Sequence, residues 1–269
     1  MMSPPVDKVL PRRRPKEVDE RLVSLLAPSS FGAEQYRVLR HLIEQTHGAA
    51  DFKVVAVTSP AAADGKTTTA INLAGSLAQT PDARVLLVDA DVRRGAVGNQ
   101  IGLGGAGAGL VDAILDARLD LADVVCHLSP FNLSVLTAGR SPSAPYEVLK
   151  SPRLGELLAE ARRQYDYVVV DTPPLIPVPD SRVIANWIDG FLMVVAAHKT
   201  PRRLVEGALD IMDPAKTLGL VFNGDDRPLS GYSSSYSRPY AWEQSRDGNP
   251  AGRWRSTVRK LGDLVRRFS

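Results

Sequence analysis

Between residues 53 and 222, short apolar, β-branched runs alternate with stretches of helical spacing. That alternation confines the chain to a parallel sheet covered by helices on both faces. Strands are expected at Lys53–Thr58, Arg84–Val88, Asn132–Thr137, Tyr167–Val170, Gly190–Ala196 and Leu218–Phe222. Helices are expected at 33–46, from Lys66 to about Gln79, at Gly109–Asp116, Pro152–Arg163 and Arg202–Met212. In Pro152–Arg163 the apolar residues Leu154, Leu157, Leu158 and Ala161 recur at helical spacing. The expected fold class is α/β, with a doubly wound, mostly parallel sheet in a single domain.

Composition narrows the function classes. The chain has 269 residues, one cysteine (Cys126) and four scattered histidines, which excludes an intrachain disulfide framework and a Cys- or His-rich metal cluster. No apolar run reaches the 18 residues of a membrane span, and the N-terminus does not read as a secretory signal. The expectation is therefore a cytoplasmic protein. The formal net charge of +3 hides an uneven distribution: residues 1–16 carry +4, residues 251–269 carry +5, and the middle carries −6. An acidic body with basic ends argues against a nucleic-acid groove and suits tails that meet an anionic membrane or an acidic partner. Residues 1–25 read as a flexible basic, Pro-rich leader, and 26–225 as the folded domain. Residues 226–250 read as a mobile Ser/Tyr-rich segment. Residues 251–269, with Trp254, Val258, Leu261, Val265 and Phe268 on one stripe, read as a basic amphipathic helix.

Three segments carry the chemistry. Ser59-Pro60-Ala61-Ala62-Ala63-Asp64-Gly65-Lys66-Thr67-Thr68 lies between the first strand and its helix, where a phosphate-binding loop belongs. Backbone N–H groups of such a turn converge on phosphate oxygens, and the following helix adds its positive end. Lys66 would reach the β- and γ-phosphates and the Thr67 hydroxyl would meet Mg²⁺. The motif departs from the strict pattern at its first position, Pro60 in place of glycine. Val85-Leu86-Leu87-Val88-Asp89-Ala90-Asp91-Val92-Arg93 ends a buried strand with two carboxylates suited to holding Mg²⁺ or taking a hydroxyl proton. Tyr167–Asp171 is a third strand ending in an acid, followed by Thr172-Pro173-Pro174. Their order on three strands of one sheet points to a P-loop nucleotide site.

Together these segments resemble the bacterial tyrosine autokinases of exopolysaccharide and capsule systems, of the cytoplasmic CpsD/CapB type. Gly109-Leu110, Ala138-Gly139, Pro145–Leu149 and Asp189-Gly190 add to the resemblance. It implies that Asp89, Asp91 and Arg93 form a Walker A′ motif and that Asp171 is the Walker B acid. It further implies ATP held by Ala62, Ala63, Asp64, Gly65, Lys66, Thr67, Thr68 and Asn223. Mg²⁺ would lie on Thr67, Asp89 and Asp171, with Lys66, Asp89, Asp91 and Arg93 catalytic. Glu34, Arg37 and Arg40 match an E-x-x-R-x-x-R motif that builds ring-shaped oligomers, and their spacing sets them along one helical side. Tyr232, Tyr236 and Tyr240 are the candidate autophosphorylation sites on a neighbouring subunit. A transmembrane polysaccharide co-polymerase is the implied activator, with the protein peripheral at the inner face of the membrane. The family usually has glycine at the position of Ala63, so alanine implies a negative φ there and a slightly altered loop.

Two other function classes fit parts of the pattern. A switch ATPase positioning membrane or DNA cargo would suit the basic C-terminal stripe. Such ATPases carry a lysine five residues before the loop lysine, and that position is Ala61 here. An ATP-sensing scaffold without kinase activity would leave the tail tyrosines unmodified.

Overall fold

A computed structural model describes residues 10–49, 52–104, 107–225 and 256–259. The strands are β1 (Arg12–Arg13), β2 (Val54–Thr58), β3 (Val85–Asp89), β4 (Cys126–Leu128), β5 (Leu133–Leu136), β6 (Tyr167–Asp171), β7 (Gly190–Ala196), β8 (Thr217–Asn223) and β9 (Ser256–Arg259). Among the described residues they form one sheet in the order β1-β4-β5-β3-β6-β2-β7-β8-β9. All neighbours run parallel except β4 with β5 and β8 with β9. The helices are α1 (Val23–Leu26), α2 (Phe31–Ala49), α3 (Lys66–Leu77), α4 (Val97–Gln100), α5 (Leu110–Leu115), α6 (Leu121–Val124), α7 (Pro145–Lys150), α8 (Pro152–Gln164), α9 (Asp180–Ile184) and α10 (Arg202–Ile211).

Strand alternation divides the core in two. Val54, Ala56, Leu86, Val88, Val168 and Val170 face one way, into a cluster shared with α5 to α10. Val55, Val57, Val85, Leu87 and Val169 face the other, against α1 to α4. Every residue of β2, β3 and β7 is buried, which is why these strands read as unbroken apolar runs. Helix α8 starts where Ser151 accepts the Arg153 N–H at 3.3 Å and Pro152 occupies the first turn. It buries Leu154, Leu157, Leu158 and Ala161.

Two expectations change. The leader is built into the domain over residues 10–25. Arg12 and Arg13 pair with His127 and Leu128 of β4, Lys16 and Asp19 donate backbone bonds to the Gly102 and Gln100 carbonyls, and Leu22 is fully buried. The open edge of β4 supplies backbone partners that a Pro-rich, charged sequence does not advertise. Leu22→Ala should lower unfolding stability by about 3 kcal/mol in a denaturant titration; an ornamental leader would leave the midpoint unmoved. In the segment 251–269, Ser256–Arg259 form an extended strand rather than a helical turn, with Ser256 opposite Asn223 and Arg259 opposite Leu220. Consecutive β-branched Thr257 and Val258 favour this conformation, and β8 offers an unpaired edge. The rest of 251–269, and Tyr232, Tyr236 and Tyr240, lie outside the described residues.

Candidate active site

Strand order creates the site. β6 lies between β3 and β2, so the carboxyl ends of these three strands are adjacent. Asp89 and Asp171 stand directly opposite each other in the β3–β6 register, and the loop between β2 and α3 rises beside them. Ligands of open α/β sheets bind at this edge.

Lys66, first residue of α3, folds onto the acids. Its Nζ donates to Asp91 Oδ2 at 2.8 Å and to Thr67 Oγ1 at 3.2 Å, and lies 3.6 Å from Asp171 Oδ1. Thr67 Oγ1 donates to Asp171 Oδ2 at 2.7 Å. Asp89 accepts the Asp91 N–H at 3.2 Å on Oδ1 and the Val97 N–H at 3.0 Å on Oδ2. Asp89 and Asp171 are wholly buried and Asp91 nearly so. Burial opposes the Lys66 charge, but Asp171 and Asp91 outweigh it and hold the ammonium above its ordinary range. Burial, then the charge of Asp171, pushes Asp89 up to about 8. Burial likewise raises Asp171, to about 6, with Lys66 opposing the rise.

These shifts fix a pH dependence. A carboxyl raised in the folded state holds a proton that the unfolded chain releases near its ordinary pKa of about 3.9. The stability contributed by Asp89 is therefore complete below about pH 4 and is lost as pH rises through 8. In magnesium-free buffer, the Tm of the wild-type chain should fall between pH 5 and 9. Asp89→Asn, which cannot ionise, should gain roughly 5 °C over wild type across that span, the effect of about 2 kcal/mol in a domain of this size. Parallel pH profiles would refute the shift.

The loop is bent left-handed twice, at Ala63 (φ +66°) and at Gly65 (φ +93°). Such alternation turns successive N–H groups to one side, the backbone form of an anion cradle. The negative φ expected for Ala63 is therefore corrected: the loop keeps its bend and alanine bears a strain of about 1 kcal/mol. Asp64 is buried and closes the turn by accepting the Ala61 N–H at 3.1 Å. A Cβ on Gly65 would lie 2.0 Å from Asn223 Nδ2, so glycine is obligatory on both counts. Asn223 Nδ2 donates to the Asp64 carbonyl at 3.0 Å, so its amide braces the loop. Thr68 Oγ1 donates to Gln100 Oε1 at 3.2 Å, while Ala62 is exposed.

Other candidates lie apart from this cluster. The Arg93 guanidinium forks onto the wholly buried Asp180, at 2.6 and 3.1 Å. Asp180 was not legible as its partner, since an acid 87 positions away carries no motif. On α2, Arg37 pairs with Glu34 and with the Pro28 carbonyl. Arg40 turns toward its own fold, donating to the Ser76 carbonyl at 3.0 Å beside Glu44. The three residues thus do not present one open charged row in the single chain.

The donor set suits a magnesium ion carried in by a nucleotide. Asp171 Oδ1 is buried with no hydrogen-bond partner, and the Thr67 hydroxyl and the acids surround it. Among the described residues no cluster of three or more His, Cys, Asp or Glu side chains could hold a metal ion alone. Magnesium is commonly bound by one or two carboxylates and completes its shell with phosphates and water.

Comparison with known proteins identifies the family. Residues 52–185 match the AAA domain family, a nucleotide-binding P-loop fold. The chain is 34% identical over 226 residues to the tyrosine-protein kinase YwqD of Bacillus subtilis, covering 83% of this chain and 93% of that protein. It is 32% identical over 215 residues to the succinoglycan biosynthesis transport protein ExoP of Rhizobium meliloti, covering 78% of this chain but 27% of ExoP. Among solved structures, the kinase domain of the Escherichia coli tyrosine kinase ETK superposes with a TM-score of 0.73 at 27% identity, covering 82% of this chain and 87% of that one.

Proposed function

This chain belongs to the bacterial tyrosine-protein kinases of capsule and exopolysaccharide biosynthesis, and we propose that it transfers the γ-phosphoryl group of magnesium ATP to tyrosines of its own C-terminal segment, between subunits of a ring-like oligomer. The observation that supports this reading is the meeting of Lys66 with Asp91 and Asp171, three side chains from three different elements, at the ends of adjacent strands.

Each residue then has a task. Backbone N–H groups from Ala62 to Thr68 receive the phosphates on the bent loop. Lys66 exchanges its carboxylate partners for phosphate oxygens and offsets the charge that develops there. Thr67 and Asp171 would hold the magnesium ion, which would supply neutralisation of phosphate charge. Asp89, with both oxygens bonded to backbone N–H groups, fixes the turn that presents Asp91 and assists at the ion. Asp91, released when Lys66 moves, accepts the proton of the incoming tyrosine hydroxyl. Arg93, held by Asp180, adds positive charge at the rim.

Tyr232, Tyr236 and Tyr240 are the acceptors on this reading. Each phosphotyrosine adds about −1.5 to −2 charges, which repel one another and the acidic site, so phosphorylation loosens the ring. Glu34, Arg37 and Arg40 exchange partners for those of a neighbouring subunit in the assembly. Among the described residues no helix is long and apolar enough to cross a membrane. On this reading a transmembrane polysaccharide co-polymerase supplies activation, and the basic segment 251–269 adds contact with an anionic bilayer.

Mass spectrometry of the purified chain after incubation with magnesium ATP tests the reading. Phosphate should appear on Tyr232, Tyr236 and Tyr240 and disappear in the triple phenylalanine variant. Steady ATP hydrolysis with those tyrosines unmodified would favour the switch ATPase instead.

A further inference from the structure

The bend at Ala63 is disfavoured for alanine, so something outside the loop must hold it. Asp64 is the next residue and is 5% exposed. Its Oδ2 accepts the Ala61 N–H at 3.1 Å and its Oδ1 accepts the Thr200 hydroxyl at 2.7 Å. Thr200 lies 136 positions away, in the turn between β7 and α10. It is itself anchored: its Oγ1 accepts the Ala196 N–H at 3.0 Å and its own N–H donates to the Ala196 carbonyl at 3.0 Å. Ala196 is the last residue of β7, a strand buried along its whole length. A continuous path therefore runs from the rigid sheet through one hydroxyl to the carboxylate that closes the loop. A buried carboxylate robbed of a donor is costly, and the cheapest relief is for its segment to move.

We propose that Thr200 is a positioning residue for nucleotide binding, its hydroxyl holding Asp64 and thereby the left-handed bend at Ala63. This rests on reading residues 59–68 as the phosphate loop. A Thr200 that served only the β7–α10 turn would affect stability without affecting the affinity of the folded chain.

Calorimetric titration of the full chain with magnesium ADP separates these roles. Thr200→Val, nearly isosteric but without the hydroxyl, should weaken ADP binding about tenfold, and Thr200→Ser should bind within about twofold of wild type. Adding Ala63→Gly to Thr200→Val should restore most of the lost affinity, because glycine adopts the bend without support. Thr200→Ala, read alone and with Ala63→Gly, serves if the valine variant does not fold. Wild-type affinity in Thr200→Val, or a deficit that Ala63→Gly leaves untouched, overturns the proposal. Absence of binding by the folded wild-type chain overturns the reading of the loop itself, and the proposal with it.

Discussion

Lys66→Met is expected to reduce tyrosine phosphorylation at least about 1,000-fold while the chain remains folded near neutral pH. Methionine keeps much of the apolar stem and removes only the ammonium. That ammonium is the one cation in contact with both Asp91 and Asp171 among the described residues, and its transfer to the phosphates offsets the charge of the moving group. Loss of a preorganised donor of this kind costs roughly 100- to 1,000-fold by itself, and loss of its full charge costs more. The fold survives because the carboxyls can take up protons where the ammonium stood. Asp171 is already raised to about 6 and Asp89 to about 8, and removing the cation raises them further. The variant should therefore approach wild-type stability at pH 6 and fall behind it as pH rises. Radiolabelled phosphate incorporation and melting curves read both effects. Persistent labelling in the folded variant would place the phosphoryl site elsewhere.

Asp91→Asn should lower kcat for tyrosine phosphorylation about 1,000-fold and leave the affinity for magnesium ADP within a few-fold. Asparagine is isosteric and still accepts from Lys66, so the 2.8 Å contact is retained without its charge. What is lost is the capacity to take a proton, worth roughly 100- to 10,000-fold in general base catalysis. Asp89 is the control, since its two oxygens already accept backbone N–H groups and it faces Asp171 rather than solvent. If Asp89→Asn slows turnover more than Asp91→Asn at equal nucleotide affinity, the two assignments exchange.

What could be read from the residues, and what could not, divides by the range of the interactions. The central strands β2, β3, β6 and β7 were legible because burial on both faces writes itself as consecutive apolar residues. Lys66, Thr67, Asp89, Asp91 and Asp171 were legible as motifs at the ends of such strands, and their shared edge follows from strand order. Strands β1, β4 and β9 were not, because their pairing is decided by partners far away: Arg12 opposite His127, Thr257 opposite Phe222. The short helices α4, α6, α7 and α9 span too few turns for a periodicity to register. The φ of Ala63 was misjudged since the restraint on it comes from Thr200, and the fork of Arg93 on Asp180 was invisible for the same reason.

The place of β6 has a consequence for biosynthesis. The strand that separates β3 from β2 is made after both of them, at residues 167–171. Until that stretch has left the ribosome, the two earlier strands have no strand between them, and neither Asp89 nor Lys66 has Asp171 beside it. The acid cluster at the strand ends therefore assembles only once residue 171 is made, and the braces from Asp180, Thr200 and Asn223 join it later still.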